Sequence, residues 1–70
     1  MRDDRLHDEV MEALLWEPSI SRELIGVRAV DGLVTLHGYV GTFEKKQAAE
    51  RAARRVAGAR FLASEIAIRR

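Results

Sequence analysis

IGVRAVDGLVTLHGYV, residues 25–40, is the segment that determines the architecture of this chain. At its centre, Asp31-Gly32 is a dipeptide strongly favoured in two-residue type I′ hairpin turns, and apolar and polar residues alternate on both sides of it. A two-residue loop places Val30 opposite Leu33, and this pair sets the register of the two strands. We therefore predict a β-hairpin whose pairing is fixed along its length.

The predicted register agrees with the hydrophobic pattern. Because successive side chains point to opposite faces of a strand, Arg28, Thr35 and His37 fall together on one face. The other face gathers the apolar residues Ile25, Val27, Ala29, Val34, Leu36 and Val40. A slip of one residue would bury Arg28 and Thr35, so the pattern excludes the neighbouring register.

Residues 4–16 are predicted to form the first helix. Apolar residues recur there at helical spacing, namely Leu6, Val10, Ala13 and Leu14. Asp3 or Asp4 is placed to cap the N-terminus, and Pro18 ends the helix because it lacks a backbone donor. We expect Trp16 to fold over the helix end against Ile20 or the sheet edge. The alternative is a Trp16 left at the surface as an anchor for a membrane or a partner.

A second helix is predicted after Gly41, with Thr42 as its N-cap. Its core stripe consists of Ala49, Ala52, Ala53 and Val56, and its outer face is basic. Glu50 and Arg54 are spaced for an ion pair four residues apart. Gly58 stands where the C′ glycine of a helix is expected, and Gly41 is assigned to the turn between strand and helix.

The chain closes with a third strand, over residues 60–68. Its better core face consists of Leu62, Ser64, Ile66 and Ile68. The complete order predicts an α+β fold: a single α-β-β-α-β domain over residues 1–70 with its core in about 4–68. The three-stranded mixed sheet carries both helices on one face. A right-handed crossover through the second helix makes strands two and three a parallel pair.

Composition excludes several classes of protein. The 70 residues suffice for one small core, the apolar runs are too short to span a membrane, and the absence of cysteine removes disulfides and thiolate sites. Residues 1–31 carry a charge balance of −4 and residues 32–70 a balance of +5. The net charge of +1 argues against nucleic-acid binding. The two charged halves predict either two oppositely charged helices side by side or a basic surface for an anionic partner.

No residue pattern indicates catalysis or a cofactor. His7 and His37 are the only histidines and stand on different predicted elements, so no metal site is expected. The acidic residues of the first helix lack the cleft that acid-base catalysis requires. Gly38-Tyr39-Val40-Gly41 matches the G-x-x-G spelling of RNA-binding KH domains, but a KH loop joins two helices, whereas this one ends a strand. We assign Gly38 instead to strand twist or to the close approach of a helix.

Two surfaces are candidates for binding. The outer face of the second helix carries the basic residues Lys46, Arg51, Arg54 and Arg55, which suit an anionic lipid surface. The uncovered face of the sheet shows the apolar residues Val30, Leu33, Tyr39 and Phe61, which suit another domain or a second copy.

Residues 27–40, VRAVDGLVTLHGYV, resemble the hallmark of the BON domain, a strand followed by D-G-x-V-T-L-x-G-x-V. The resemblance covers essentially the whole chain: Val10, Ala13-Leu14 and Pro18 precede the hallmark, Glu44-Lys45, Ala49-Glu50 and Gly58 follow it. Ala59 departs from the pattern, since the family usually has a larger aliphatic residue there.

The resemblance implies a non-catalytic α-β-β-α-β binding module of the kind found in bacterial osmotic-stress proteins. It implies peripheral attachment to phospholipid membranes or envelope proteins, without cofactors, in the periplasm or at the cell envelope. The alternative is a regulatory or interaction module that dimerises or docks a partner domain such as CBS or LysM. Residues 1–10 contain no apolar signal segment, which instead predicts a cytoplasmic or an excised domain.

Overall fold

The computed structural model describes residues 3–20 and 24–69. The elements in order are α1 (Asp4–Leu15), β1 (Leu24–Val30), β2 (Leu33–Val40), α2 (Phe43–Arg54) and β3 (Phe61–Ile68). The three strands form one sheet in the order β1-β2-β3, antiparallel between β1 and β2 and parallel between β2 and β3. This architecture confirms the predicted α+β fold.

The hairpin forms as the sequence predicts. Asp31 and Gly32 both have positive φ, +50° and +84°, as a type I′ turn requires. Val30 pairs with Leu33, and the register continues without a bulge to the pair Leu24 and Tyr39. The predicted register is therefore correct over the whole of β1.

The core lies between the sheet and the two helices. It is aliphatic, and its largest fully buried side chains are Leu36, Val10, Val34 and Val40. Helix α2 contributes only small side chains, the buried Ala48, Ala49, Ala52 and Ala53. Ile25, Val27, Val56, Ala59 and Leu62 pack around this core in half-buried positions. The hydrophobic faces predicted for the helices and strands are the faces that the domain buries, with a few exceptions at their ends.

Both helices begin at a side-chain cap. The Asp3 carboxylate accepts a hydrogen bond from the Leu6 N–H at 3.0 Å, and the Thr42 hydroxyl accepts one from the Lys45 N–H at 3.2 Å. The main chain of Asp3 also donates to the carbonyl of Ala29 at 3.0 Å. This bond ties the start of α1 to the end of β1, beside the hairpin turn.

The glycines divide into required and replaceable positions. Gly38 has φ +126°, and a Cβ built there would fall on the carbonyl oxygen of Leu24 in the neighbouring strand. The close approach is thus by β1, and not the strand twist or the helix that the sequence predicts. Gly41 needs no special conformation, since its φ is ordinary and the nearest atom to a Cβ is 4.0 Å away.

The role expected for Gly58 is wrong. Helix α2 ends at Arg54 with Arg55 as its C-cap, so Gly58 is three residues beyond the cap and has no positive φ. Instead, a Cβ on Gly58 would lie 3.2 Å from Cδ1 of Leu6. Gly58 therefore lets the chain after α2 pass close to the start of α1.

Candidate membrane-binding and interaction surfaces

All four aromatic side chains of the protein are exposed, although large aromatic residues usually find apolar cover. They are Trp16, Tyr39, Phe43 and Phe61. Trp16 is 77% exposed, and Leu24 is exposed to a similar extent at 79%. Among the residues that the structure describes, the core thus holds no aromatic ring. The sequence predicts Tyr39 and Phe61 at an exposed surface but assigns no role to the exposed Leu15, Leu24 and Phe43.

Most of these exposed side chains lie at one end of the domain, away from the hairpin turn. In the sheet, Leu24 pairs with Tyr39 at the far end of the hairpin, and Ile68 pairs with the adjacent Val40. Phe43 begins α2 three residues after Val40 and lines a shallow cavity with Ile68. The ends of all three strands and the start of α2 therefore meet here.

Helix α1 runs toward the same end. Its start is held beside the hairpin turn by the bond from Asp3 to Ala29, and its 12 residues rise about 18 Å along the sheet. Leu15 and Trp16, at its finish, are both exposed. We call this region the apolar end; it consists of Leu15, Trp16, Leu24, Tyr39, Phe43 and Ile68.

The packing expected for Trp16 is wrong. Ile20 is buried as expected, but Trp16 is largely exposed and so lacks the apolar cover predicted for it. Trp16 is the C-cap of α1 and lies two residues, or about 200° of helical turn, beyond the buried Leu14. Its side chain consequently projects away from the core stripe, as in the alternative of a surface anchor.

Ile68, which the sequence predicts on the core face of β3, is 40% exposed. It is the last residue of β3, at the sheet end where α2 is only beginning, so it has less cover than Ile66. Arg69 follows it, and the Arg69 guanidinium lies 4.2 Å from the centre of the Tyr39 ring. This cation–π contact places a positive charge at the border of the apolar end.

The four basic residues proposed for membrane binding do not form one exposed cluster. Arg51, Arg54 and Arg55 are exposed, whereas Lys46 is half-buried one turn into α2. The contact between Gly58 and Leu6 places the finish of α2 beside the start of α1. Arg54 and Arg55 therefore lie near the acidic first turns of α1, at the end of the domain opposite Trp16.

The expected ion pair between Glu50 and Arg54 is absent from the described part of the chain. An exposed pair four residues apart occurs instead on α1, where Arg5 Nε lies 4.0 Å from Glu9 Oε1. Exposed pairs of this kind contribute little to stability, about 0.5 kcal/mol or less. Because, within the described residues, no ion pair with Glu50 neutralises Arg54, the exposed arginines of α2 remain a positively charged surface.

The outer face of the sheet is the second candidate surface, because both helices pack on the inner face. The strand register arranges it in four cross-strand rows. The row nearest the turn is apolar and the row at the far end largely so, with two more polar rows between them. From the turn outward they are Val30, Leu33 and Phe61; Arg28, Thr35 and Ala63; Gly26, His37 and Glu65; and Leu24, Tyr39 and Ala67.

The predicted interface residues therefore fall into two groups. Val30, Leu33 and Phe61 stand side by side in the row nearest the turn, and all are exposed. Tyr39 stands three rows away, at the apolar end, next to Leu24. Tyr39 thus belongs to both candidate surfaces.

The two histidines approach the same edge of the sheet. A cavity of about 470 Å³ runs beside β1 and is lined by His7, Val27, Arg28, Ala29, Val30 and His37. The His37 ring covers Gly26, where it would collide with any Cβ. Within residues 3–20 and 24–69, no three His, Asp or Glu side chains are grouped as metal ligands.

The G-x-x-G segment has the context expected from sequence. Gly38 lies inside β2 and Gly41 in the bend before α2, so the segment does not connect two helices. In the described residues, no helix has the length and apolar character needed to cross a bilayer.

Comparison with known proteins identifies the domain. No curated protein matches the sequence. The BON domain model, however, matches residues 2–70, which is essentially the whole chain. BON domains are non-catalytic binding modules associated with membranes and phospholipids. The chain belongs to the BON domain family.

Proposed function

We propose that this protein is a peripheral phospholipid-binding module and that its apolar end enters the membrane interface. The observation that carries the proposal is the gathering of six large exposed apolar side chains at one end of a 70-residue domain. A concentration of exposed apolar side chains of this size usually marks a binding site. Trp and Tyr are also the residues that favour the headgroup region of a bilayer.

The proposed interaction is weak and reversible. Fully burying one large apolar side chain contributes about 1.5–3 kcal/mol, so partial insertion of a few side chains gives several kcal/mol in total. The exposed arginines of α2 add long-range attraction to anionic lipid, about 1 kcal/mol for each residue near the surface. Because Arg54 and Arg55 lie away from the apolar end, they contribute less than residues such as Arg69 beside Tyr39.

Vesicle co-sedimentation tests this proposal. The wild type, Trp16→Ser and Phe61→Ser are compared on anionic and neutral phospholipid vesicles at low and high salt. Phe61 is a matched control because it is a similarly exposed aromatic residue located near the hairpin turn. We expect Trp16→Ser to lose most binding, whereas Phe61→Ser should bind as tightly as the wild type at protein concentrations too low for two copies to associate. Trp16 is also the only tryptophan, so its fluorescence reports insertion directly.

A variant in which Arg51, Arg54 and Arg55 are replaced by Gln separates the two binding modes. Loss of binding in this variant, with Trp16→Ser unaffected, would show that the basic face of α2 is the membrane site. Failure of the wild type to bind anionic vesicles at low salt would overturn both modes.

The second candidate function is docking of a protein partner, either another domain or a second copy, through the outer sheet face. The specific observation in its favour is the exposed row Val30, Leu33 and Phe61, which no helix of the described chain covers. Partner domains of the CBS or LysM type belong to this candidate. A folded partner titrated into the labelled domain tests it, with Leu33→Asp as the variant that should abolish binding.

A further inference from the structure

Across the four rows of the outer sheet face, size alternates between the two edge strands. Wherever one edge strand has a long side chain, the other has a smaller one or none. Arg28 on β1 shares its row with Ala63 on β3, and Leu24 shares its row with Ala67. Glu65 on β3 shares its row with Gly26, and Phe61 shares its row with the smaller Val30. From row to row, the larger side chain therefore lies alternately on β3 and on β1.

A two-fold axis parallel to the strands makes this face complementary to itself. Such an axis places β1 of one copy over β3 of the other and keeps each row opposite the same row. Phe61 then meets Val30 of a second copy, Arg28 meets Ala63, and Leu33 meets its own equivalent at the axis. Two sheets packed in this aligned manner are the usual geometry of a β-sandwich.

The charged side chains of this face also favour the two-fold axis parallel to the strands. Arg28 and Glu65 stand on opposite edges of the sheet, roughly 10 Å apart across two strand spacings, and neither has an ion-pair partner among the described residues. The two-fold axis parallel to the strands brings Glu65 of a second copy beside Arg28 and the adjacent His37. An axis perpendicular to the strands would instead bring the two Arg28 side chains together and the two Glu65 side chains together.

From these observations we infer that the outer sheet face binds a second copy of this chain, with the two-fold axis parallel to the strands. The inference rests on the docking function proposed for this face and specifies its occupant. A face three strands wide and eight residues long measures about 15 by 25 Å, and pairing two copies buries on the order of 1,000 Å² in total. That area is at the lower limit for specific complexes, so the dimer is weak and depends on concentration.

Sedimentation equilibrium without lipid tests the inference through a charge exchange. We expect the wild type to dimerise. Arg28→Glu and Glu65→Arg should each raise the dimer dissociation constant at least about tenfold, because each substitution places like charges in contact. Mixing the two variants should restore dimerisation, since one then supplies only acidic and the other only basic groups. Glu12→Arg, on the exposed face of α1, is the matched control and should leave the dimer unchanged.

Restored association in the mixture cannot arise from misfolded single variants, so it identifies Arg28 and Glu65 as partners across the axis. A wild type that stays monomeric at every concentration would overturn the inference, as would a mixture no tighter than its components. Binding of the monomeric wild type to a CBS or LysM domain would likewise assign the face to another occupant. Membrane insertion of the apolar end is tested separately, through Trp16 and at protein concentrations below the dimer dissociation constant.

Discussion

The carbonyl oxygen of Leu24 occupies the position where a side chain on residue 38 would begin, so β1 and β2 approach each other at Gly38 more closely than any other residue allows. Gly38→Ala must therefore displace β1, in addition to adopting a φ of +126° that L side chains rarely take. We expect it to lower the free energy of unfolding by at least about 2 kcal/mol. Urea unfolding followed by far-UV circular dichroism measures the loss.

Gly41→Ala is the natural control for this prediction, because it alters the other glycine of the G-x-x-G segment. Its Cβ would have 4.0 Å of clearance and its φ is ordinary, so stability should change by less than about 0.5 kcal/mol. Equal losses in the two variants would contradict the assignment of Gly38 to strand packing.

Ser64 presents the opposite situation, since replacing it should stabilise the domain. In the described part of the chain, its hydroxyl is buried on the core side of β3 without a hydrogen-bond partner. Ser64→Ala removes that unsatisfied group at little cost in packing, and we expect the free energy of unfolding to rise by about 1 kcal/mol.

The control for Ser64 is Ser19→Ala. The Ser19 hydroxyl is exposed and donates to the Glu17 carboxylate at 3.0 Å, so its removal should change stability by less than about 0.5 kcal/mol. Destabilisation by Ser64→Ala in the same urea titrations would mean that the hydroxyl has a partner in solution.

The proposed dimer and the proposed membrane site together predict avidity. A two-fold axis parallel to the strands directs both apolar ends the same way, so one dimer can place two of them on one bilayer. Leu33→Asp, which breaks the dimer without altering the apolar end, should bind vesicles at least about tenfold more weakly than the wild type. The comparison requires concentrations at which the wild type is dimeric.

Dilution provides the control for avidity. Below the dimer dissociation constant, the wild type and Leu33→Asp should bind vesicles equally. A difference that persists on dilution would indicate that Leu33 itself contacts lipid.

The sequence was sufficient to predict the hairpin, the order of elements and the inner faces, because turn chemistry and periodicity act locally. The packing predicted for the Trp16 side chain was incorrect. The direction of a side chain at a helix end depends on how far the helix has rotated past its last buried residue, here Leu14. The apolar end was not predicted for a related reason. Leu15, Leu24 and Phe43 are distant in sequence and come together only because α1 and α2 both run antiparallel to the strands beside them. The role of Gly58 depended similarly on its contact with Leu6, which no local pattern encodes.

The placement of all four aromatic rings at the surface has a spectroscopic consequence. Trp16 is already solvated in the folded state, so its emission should change little on unfolding, and the near-UV circular dichroism of the free domain should be weak. Both signals should instead respond when a surface becomes covered. Tryptophan emission then reports contact at the apolar end, and phenylalanine or tyrosine resonances report pairing of the sheets. In this domain the intrinsic chromophores are sensors of association, and the folding of its aliphatic core is best followed through the backbone.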